Sequence, residues 1–261
     1  MGSTSHLSLP PDFLSKPTEH ITKKIVDFKA ANIPEFADYY ATIIDGAFSA
    51  QECQTLISAA EAHSNGEWEL ATVNAGGGLQ QYSPRIRNHD RIIWDDRAVI
   101  GKIWDRIKDQ VPEVLTFEQE AHRSDYTGLH VPRTRFIATR LNERMRFLRY
   151  TPGTYFKQHL DGIYETPDGQ ESSHYTLHLY LNDAEEMKGG ATVFYSDDDK
   201  TEYKVQPKVG RVLIFQHEHL FHSGEDVEGG IKYTLRTDLM FKKEVVGEKS
   251  CVTLECDRPP P

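Results

Sequence analysis

His159 and Asp161 stand two residues apart in Y-T-P-G-T-Y-F-K-Q-H-L-D-G, Tyr150 to Gly162, directly after a Pro152-Gly153 turn. On an extended strand, residues i and i+2 leave the same face, so the imidazole and the carboxylate are expected side by side. Such a pair can hold a metal, but one nitrogen and one oxygen are too few. A non-haem Fe(II) site takes two imidazoles and one carboxylate on one face of the ion and leaves the other face open to oxygen and a chelating cosubstrate. The second imidazole must come from R-V-L-I-F-Q-H-E-H-L-F-H-S-G, where an apolar strand runs into a polar turn. His222 stands nearest the next strand, and His217 and His219 are its rivals. With 12 His in the chain, any single one is more often a surface or core residue than a ligand, so position within an ordered motif has to decide.

The segment that follows adds a cation. A Gly229-Gly230 break precedes a strand expected over Ile231 to Phe241. If it pairs beside the His222 strand, its alternation puts Lys232, Thr234 and Arg236 on one face and Tyr233 and Leu235 on the other. An oxo diacid that chelates a metal at one end needs its far carboxylate neutralised in a buried pocket, which a lysine or arginine can do.

In order, Y-x-P-G, H-x-D, Y-L-N, G-G-x-T-x-F, a strand ending in F, H-x-G, V and G-x-K resemble the prolyl 4-hydroxylase type of Fe(II)/2-oxoglutarate dioxygenase, over roughly residues 144 to 241. The resemblance implies a mainly β protein with supporting helices, built as a double-stranded β-helix, a jelly-roll, cupin-like barrel with iron in its mouth. It implies His159, Asp161 and His222 as ligands, because H-x-G, V and G-x-K fix the register and place Lys232 ten residues after His222. Lys232 is then the 2-oxoglutarate clamp, with Tyr180 of Y-L-N sharing the far carboxylate, Tyr150 turned toward the cosubstrate, and Arg236 assisting or binding substrate. The cofactors implied are Fe(2+), 2-oxoglutarate and O2, with ascorbate as an accessory reductant. The products are a hydroxylated amino acid, peptidyl proline or small metabolite, with succinate and CO2. The competing readings are a cupin-like metal- or ligand-binding module without 2-oxoglutarate chemistry, an inactive scaffold and a zinc hydrolase.

The remaining sequence must position these groups. At 261 residues, 38% hydrophobic and a mean hydropathy of -0.58, the chain suits one soluble domain with ample core. No apolar run approaches a membrane span, and M-G-S-T-S-H-L is neither a signal peptide nor a myristoylation site, so a cytoplasmic protein without a membrane partner is expected. Cys53, Cys251 and Cys256 make no paired framework, and a net charge of -10 disfavours a nucleic-acid partner; the substrate is expected to be a small molecule or a peptide. Residues 1–33 read as an N-terminal arm, 34–245 as the oxygenase domain, with 34–143 as helical support and substrate side and 144–245 as the core barrel, and 246–261 as a tail.

Ser49 and Glu52 form a capping box for a helix from Ala50 to Ala62, and the spacing of Val99, Ile100, Ile103, Trp104 and Ile107 predicts a second over Asp96 to Asp109. In the strand from His174 to Asn182, Thr176, His178 and Tyr180 should line the cavity while Leu177, Leu179 and Leu181 meet the helices. Gly76-Gly77-Gly78 reads as a connector, His122 to Arg135 as a flap, and Ser196 to Lys200 as a hairpin turn. Arg85, Arg87 and Arg91 can reach an acidic substrate or simply form ion pairs on a strand face.

Overall fold

The computed structural model describes residues 9–10, 12–15, 20–74, 80–123, 128–183 and 187–246. The Gly76-Gly77-Gly78 connector, Cys251, Cys256 and the tail from 247 lie outside them.

Two antiparallel sheets enclose the site. The larger, of ten strands, is centred on Lys232–Val245, which pairs with Glu171–Tyr180 along one edge and with Arg144–Tyr150 and then Thr134–Leu141 along the other. Outward from these lie Val212–Gln216, Ala41–Asp45 and Thr22–Ile25 on one flank and Asp90–Asp95 and Glu69–Leu70 on the other. The smaller sheet runs Glu202–Val205, Thr192–Tyr195, His222–Gly224, Tyr155–His159 and Arg87–Asn88. This is the mainly β jelly roll that the resemblance implies.

One expectation fails in its topology. The Lys232 strand does not pair with the His222 strand; the two belong to opposite sheets. Consecutive strands of a jelly roll alternate between its sheets, so Lys232 meets the metal-side residues across the barrel interior. The strand also continues past Phe241 to Val245, because Lys242–Val245 completes the pairing with Thr134–Ile137.

Side-chain alternation sorts the large sheet into two faces. Leu177, Leu179, Leu181, Leu235, Leu239, Met145 and Phe147 join one buried cluster with Leu56, Ile57, Ile100 and Ile103 of the helices Ala50–His63 and Arg97–Ile107. Each fully buried aliphatic side chain here contributes about 1.5–3 kcal/mol relative to exposure. The opposite face carries Leu148, Tyr150, Thr176, His178, Lys232 and Arg236 toward the small sheet. Both helices start as their sequences dictate. Ser49 accepts from Glu52 N while Glu52 accepts from Ser49 N, and Asp96 accepts from Ala98 N and Val99 N.

The arm is laid over the domain. Thr22–Ile25 adds an edge strand beside Ala41–Asp45, and Val26, Phe28 and Ile33 are buried, so the folded unit takes in residues upstream of 34. The expected flap contains a two-stranded ladder, His122–Arg123 with His130–Val131, before Thr134 enters the large sheet. Asp197–Asp199 forms the turn between Thr192–Tyr195 and Glu202–Val205. Among the described residues no helix is long and apolar enough to cross a membrane.

Candidate metal and cosubstrate site

His159 ends its strand and pairs in register with His222, the first residue of the neighbouring strand, so the two imidazoles meet with ring centroids 4.3 Å apart. Asp161 lies beyond the end of the strand, not on it as the alternation suggested; Leu160 and Asp161 are irregular. The three side chains still converge, with one potential ligand atom from each lying within 4.8 Å of the others.

Hydrogen bonding fixes which atoms those are. His159 Nδ1 is 2.8 Å from Lys157 O and His222 Nδ1 is 2.9 Å from Leu220 O. A carbonyl only accepts, so each Nδ1 donates and each Nε2 keeps its lone pair. Those Nε2 atoms lie 3.7 Å from the Asp161 carboxylate, His159 at Oδ1 and His222 at Oδ2. Two neutral imidazoles and one carboxylate are the donor set suited to Fe(II). Charge states agree. Burial disfavours the Asp161 carboxylate anion, but the Arg236 guanidinium opposes it and holds the pKa well below the usual range. Burial, then His159, pushes His222 down to about 3.

The triad opens on a narrow cavity of about 30 Å³, lined from the large sheet by Leu148, Tyr150, Thr176, His178, Lys232 and Arg236 and from the small sheet by Phe156, Thr192 and Ser223 among others. Lys232 is 2% exposed and has no carboxylate partner among the described residues; its Nζ sits 5.0 Å from the Tyr150 ring and 5.6 Å from the Tyr180 ring. Burial lowers its pKa to about 7. Gly190 packs opposite the Lys232 stem, and its left-handed backbone is what favours glycine there. A Cβ on Gly190, whose φ is +83°, would stand 3.4 Å from Lys232 Cδ and 3.2 Å from Met187 Sδ.

Tyr180 departs from its expected place. It is fully buried, its hydroxyl donates to Thr192 Oγ1 at 2.6 Å, and Thr192 rather than Tyr180 lines the cavity. Tyr150 does line it, with its hydroxyl raised to about 12 by burial. Arg236 lines it too, but is engaged with Asp161 at 2.8 Å. His178 is cavity lining, as expected, and its Nε2 is unpartnered. The rival histidines stand apart. His217 is buried 3.7 Å from Asp238, and His219 stacks on Tyr39. Arg91 pairs with Glu69, and Arg87 lies 4.3 Å from the Phe156 ring while donating to His89 Nε2. Thr176 lines the cavity as expected, but its bond to Asp161 was missed, and Thr192 was missed as a site residue. Their signals were the cavity-facing period of the Y-L-N strand and the threonine of G-G-x-T-x-F.

Comparison with known proteins agrees with this geometry. Residues 145–237 match the 2OG-Fe(II) oxygenase superfamily. No curated protein sequence matches the chain. Among solved structures, a Pseudomonas putida prolyl-4-hydroxylase is similar at 16% identity and TM-score 0.50, over 80% of this chain and 97% of its own. A Trichoplax adhaerens prolyl hydroxylase in complex with a hypoxia inducible factor oxygen degradation domain peptide fragment is similar at 14% identity and TM-score 0.52, over 82% of this chain and 90% of its own. At these identities the two structures speak for the fold. The superfamily match does not favour a cupin-like module lacking 2-oxoglutarate chemistry. Residues 145–237 thus resemble the 2OG-Fe(II) oxygenase superfamily and carry its His-Asp-His cluster, and the chain is a dioxygenase that uses Fe(2+), 2-oxoglutarate and O2.

Proposed function

We propose that His159, Asp161 and His222 hold the iron and that Lys232 receives the far carboxylate of 2-oxoglutarate. The carrying observation is the pair of Nδ1-to-carbonyl hydrogen bonds, which leaves both Nε2 lone pairs beside Asp161 in the cavity that also contains Lys232. When bound, iron with 2-oxoglutarate and oxygen supplies the oxidant for an unactivated C–H bond, with succinate and CO2 as co-products. The chain's own residues bind and orient. Lys232 gains a buried anionic partner that it otherwise lacks, and takes up a proton to do so at neutral pH and above. Tyr150 and Thr192 flank it, and the Tyr180 hydroxyl orients Thr192 from behind. Leu148, Phe156 and Phe215 exclude water from the chelate.

The substrate is a C–H bond in a peptidyl proline, a free amino acid or a small metabolite, and hydroxylation is the outcome. The peptide in the Trichoplax structure makes a proline-containing peptide the first class to test. Leu160, Ile163 and Phe221, close in sequence to the ligands, are 42%, 51% and 44% exposed and offer apolar surface to such a chain. The barrel of 144–245 and its support of 34–143 act as one oxygenase unit, to which Thr22–Ile25 adds an edge strand. The test is succinate formation with Fe(II), 2-oxoglutarate and oxygen against panels of proline peptides, amino acids and metabolites. Turnover that disappears in Asp161→Ala supports the assignment; wild-type turnover in that variant sinks it.

A further inference from the structure

Arg236 brings a second cation to a cavity that already has Lys232, yet it is already engaged by carboxylates and a hydroxyl of the chain itself. Its Nη2 lies 2.8 Å from Asp161 Oδ1 and 3.3 Å from both Thr176 Oγ1 and Asp238 Oδ1. Asp238 in turn lies 3.2 Å from Arg146 Nη1, and Arg146 sits opposite Arg236 in the strand register. Asp161, Arg236, Asp238 and Arg146 therefore alternate in sign, two carboxylates with two guanidinium groups. The charge of Arg236 is balanced within this set, whereas Lys232 has no carboxylate partner among the described residues.

Asp161 needs such support. It follows the end of its strand, so no ladder hydrogen bond fixes its backbone. Both carboxylate oxygens are instead held from the opposite sheet, Oδ1 by Arg236 and Oδ2 by Thr176 Oγ1 at 2.5 Å. We propose that Arg236 is a positioning residue, which together with Thr176 fixes the Asp161 carboxylate for the metal and does not clamp 2-oxoglutarate. This rests on Asp161 being a ligand.

Two physical effects make opposite demands on Arg236. A partner that orients a ligating carboxylate raises metal affinity, and its removal costs about 10–100-fold. A guanidinium acting only through its charge would repel an incoming dication, so its removal would tighten binding. The sign of the change therefore separates orientation from charge.

The experiment titrates the metal-free full chain anaerobically with Co(II), read by visible absorption, for the wild type, Arg236→Met, Arg236→Gln and Thr176→Val. Expected is weakening by about 10–100-fold in Arg236→Met and a loss in the same direction in Thr176→Val. Arg236→Gln keeps a neutral donor and should recover most of the affinity, with 2-oxoglutarate binding at saturating metal within about threefold of wild type. Unchanged or tighter Co(II) binding in Arg236→Met overturns the proposal. So does Arg236→Gln with intact Co(II) binding and about 100-fold weaker 2-oxoglutarate binding, which makes Arg236 a clamp. Should Arg236→Met fail to fold, Thr176→Val decides by the Co(II) criterion, unchanged binding overturning the proposal, and Arg236→Gln decides by the 2-oxoglutarate criterion. Failure of the ligand assignment looks different: Asp161→Ala would then bind Co(II) like the wild type.

Discussion

Replacing Lys232 with Met should stabilise the cosubstrate-free protein while disabling it. Lys232 is fully buried with no counter-ion among the described residues, and burial drops its pKa from 10.5 to about 7. Between those values the unfolded chain is protonated there and the folded chain is not, so the lysine lowers stability increasingly as pH falls from 10.5 toward 7, and by a constant amount below 7. At pH 8 the gap of 2.5 units left to the unfolded value corresponds to roughly 3 kcal/mol. Methionine fills similar volume without the charge, so Lys232→Met should gain on the order of 2–3 kcal/mol in urea unfolding at pH 8. The gain should shrink by about 1.4 kcal/mol per pH unit toward pH 10. In the same variant 2-oxoglutarate loses its buried charge partner, at a cost of about 3–5 kcal/mol, so its Kd should rise by two to three orders of magnitude in anaerobic titration with Fe(II). A less stable variant would refute the burial reasoning, and a Kd within about threefold of wild type would refute the clamp.

Other consequences follow from single contacts. Wild-type affinity for 2-oxoglutarate should fall by about tenfold per pH unit above pH 7, as Lys232 loses the proton that the complex requires; a flat calorimetric profile from pH 7 to 9 would contradict this. Tyr180→Phe removes the hydroxyl that supports Thr192 and should cost about 1–2 kcal/mol of stability, with only a several-fold rise in the 2-oxoglutarate Kd. A hundredfold rise would restore Tyr180 as a direct contact. Ser49→Ala breaks the capping box far from the site and should lower stability by about 1 kcal/mol while leaving turnover per folded molecule unchanged, checked by urea melts beside succinate assays.

Much of this architecture was legible because local rules and the global fold agree. Ser49 with Glu52 and the spacing of Val99 to Ile107 gave helices within a few residues of Ala50–His63 and Arg97–Ile107. The alternation of Thr176, His178 and Tyr180 against Leu177, Leu179 and Leu181 correctly separated the cavity face from the helix face. What escaped depends on three dimensions. Period-two alternation says which way Lys232 points along its own strand, but not that the strands beside it are Arg144–Tyr150 and Glu171–Tyr180 rather than that of His222. The same rule assumed that the strand continued through Asp161, although it ends at His159. Tyr180 has the right parity to face inward, yet an inward side chain can stop at another residue, and here Thr192 takes its hydroxyl. The partners of Asp161 were hidden for the same reason, since Thr176 and Arg236 are 15 and 75 residues away along the chain (176 minus 161, 236 minus 161).

The most direct test of the site is anaerobic addition of 2-oxoglutarate to the Fe(II)-loaded protein, following the visible metal-to-ligand charge-transfer band of the chelate. The band should appear for the wild type, be lost in Asp161→Ala through failure of metal binding, and require far more 2-oxoglutarate in Lys232→Met. A protein that binds Fe(II) at His159, Asp161 and His222 but gives no band at saturating 2-oxoglutarate would contradict the assignment of this cavity to the cosubstrate.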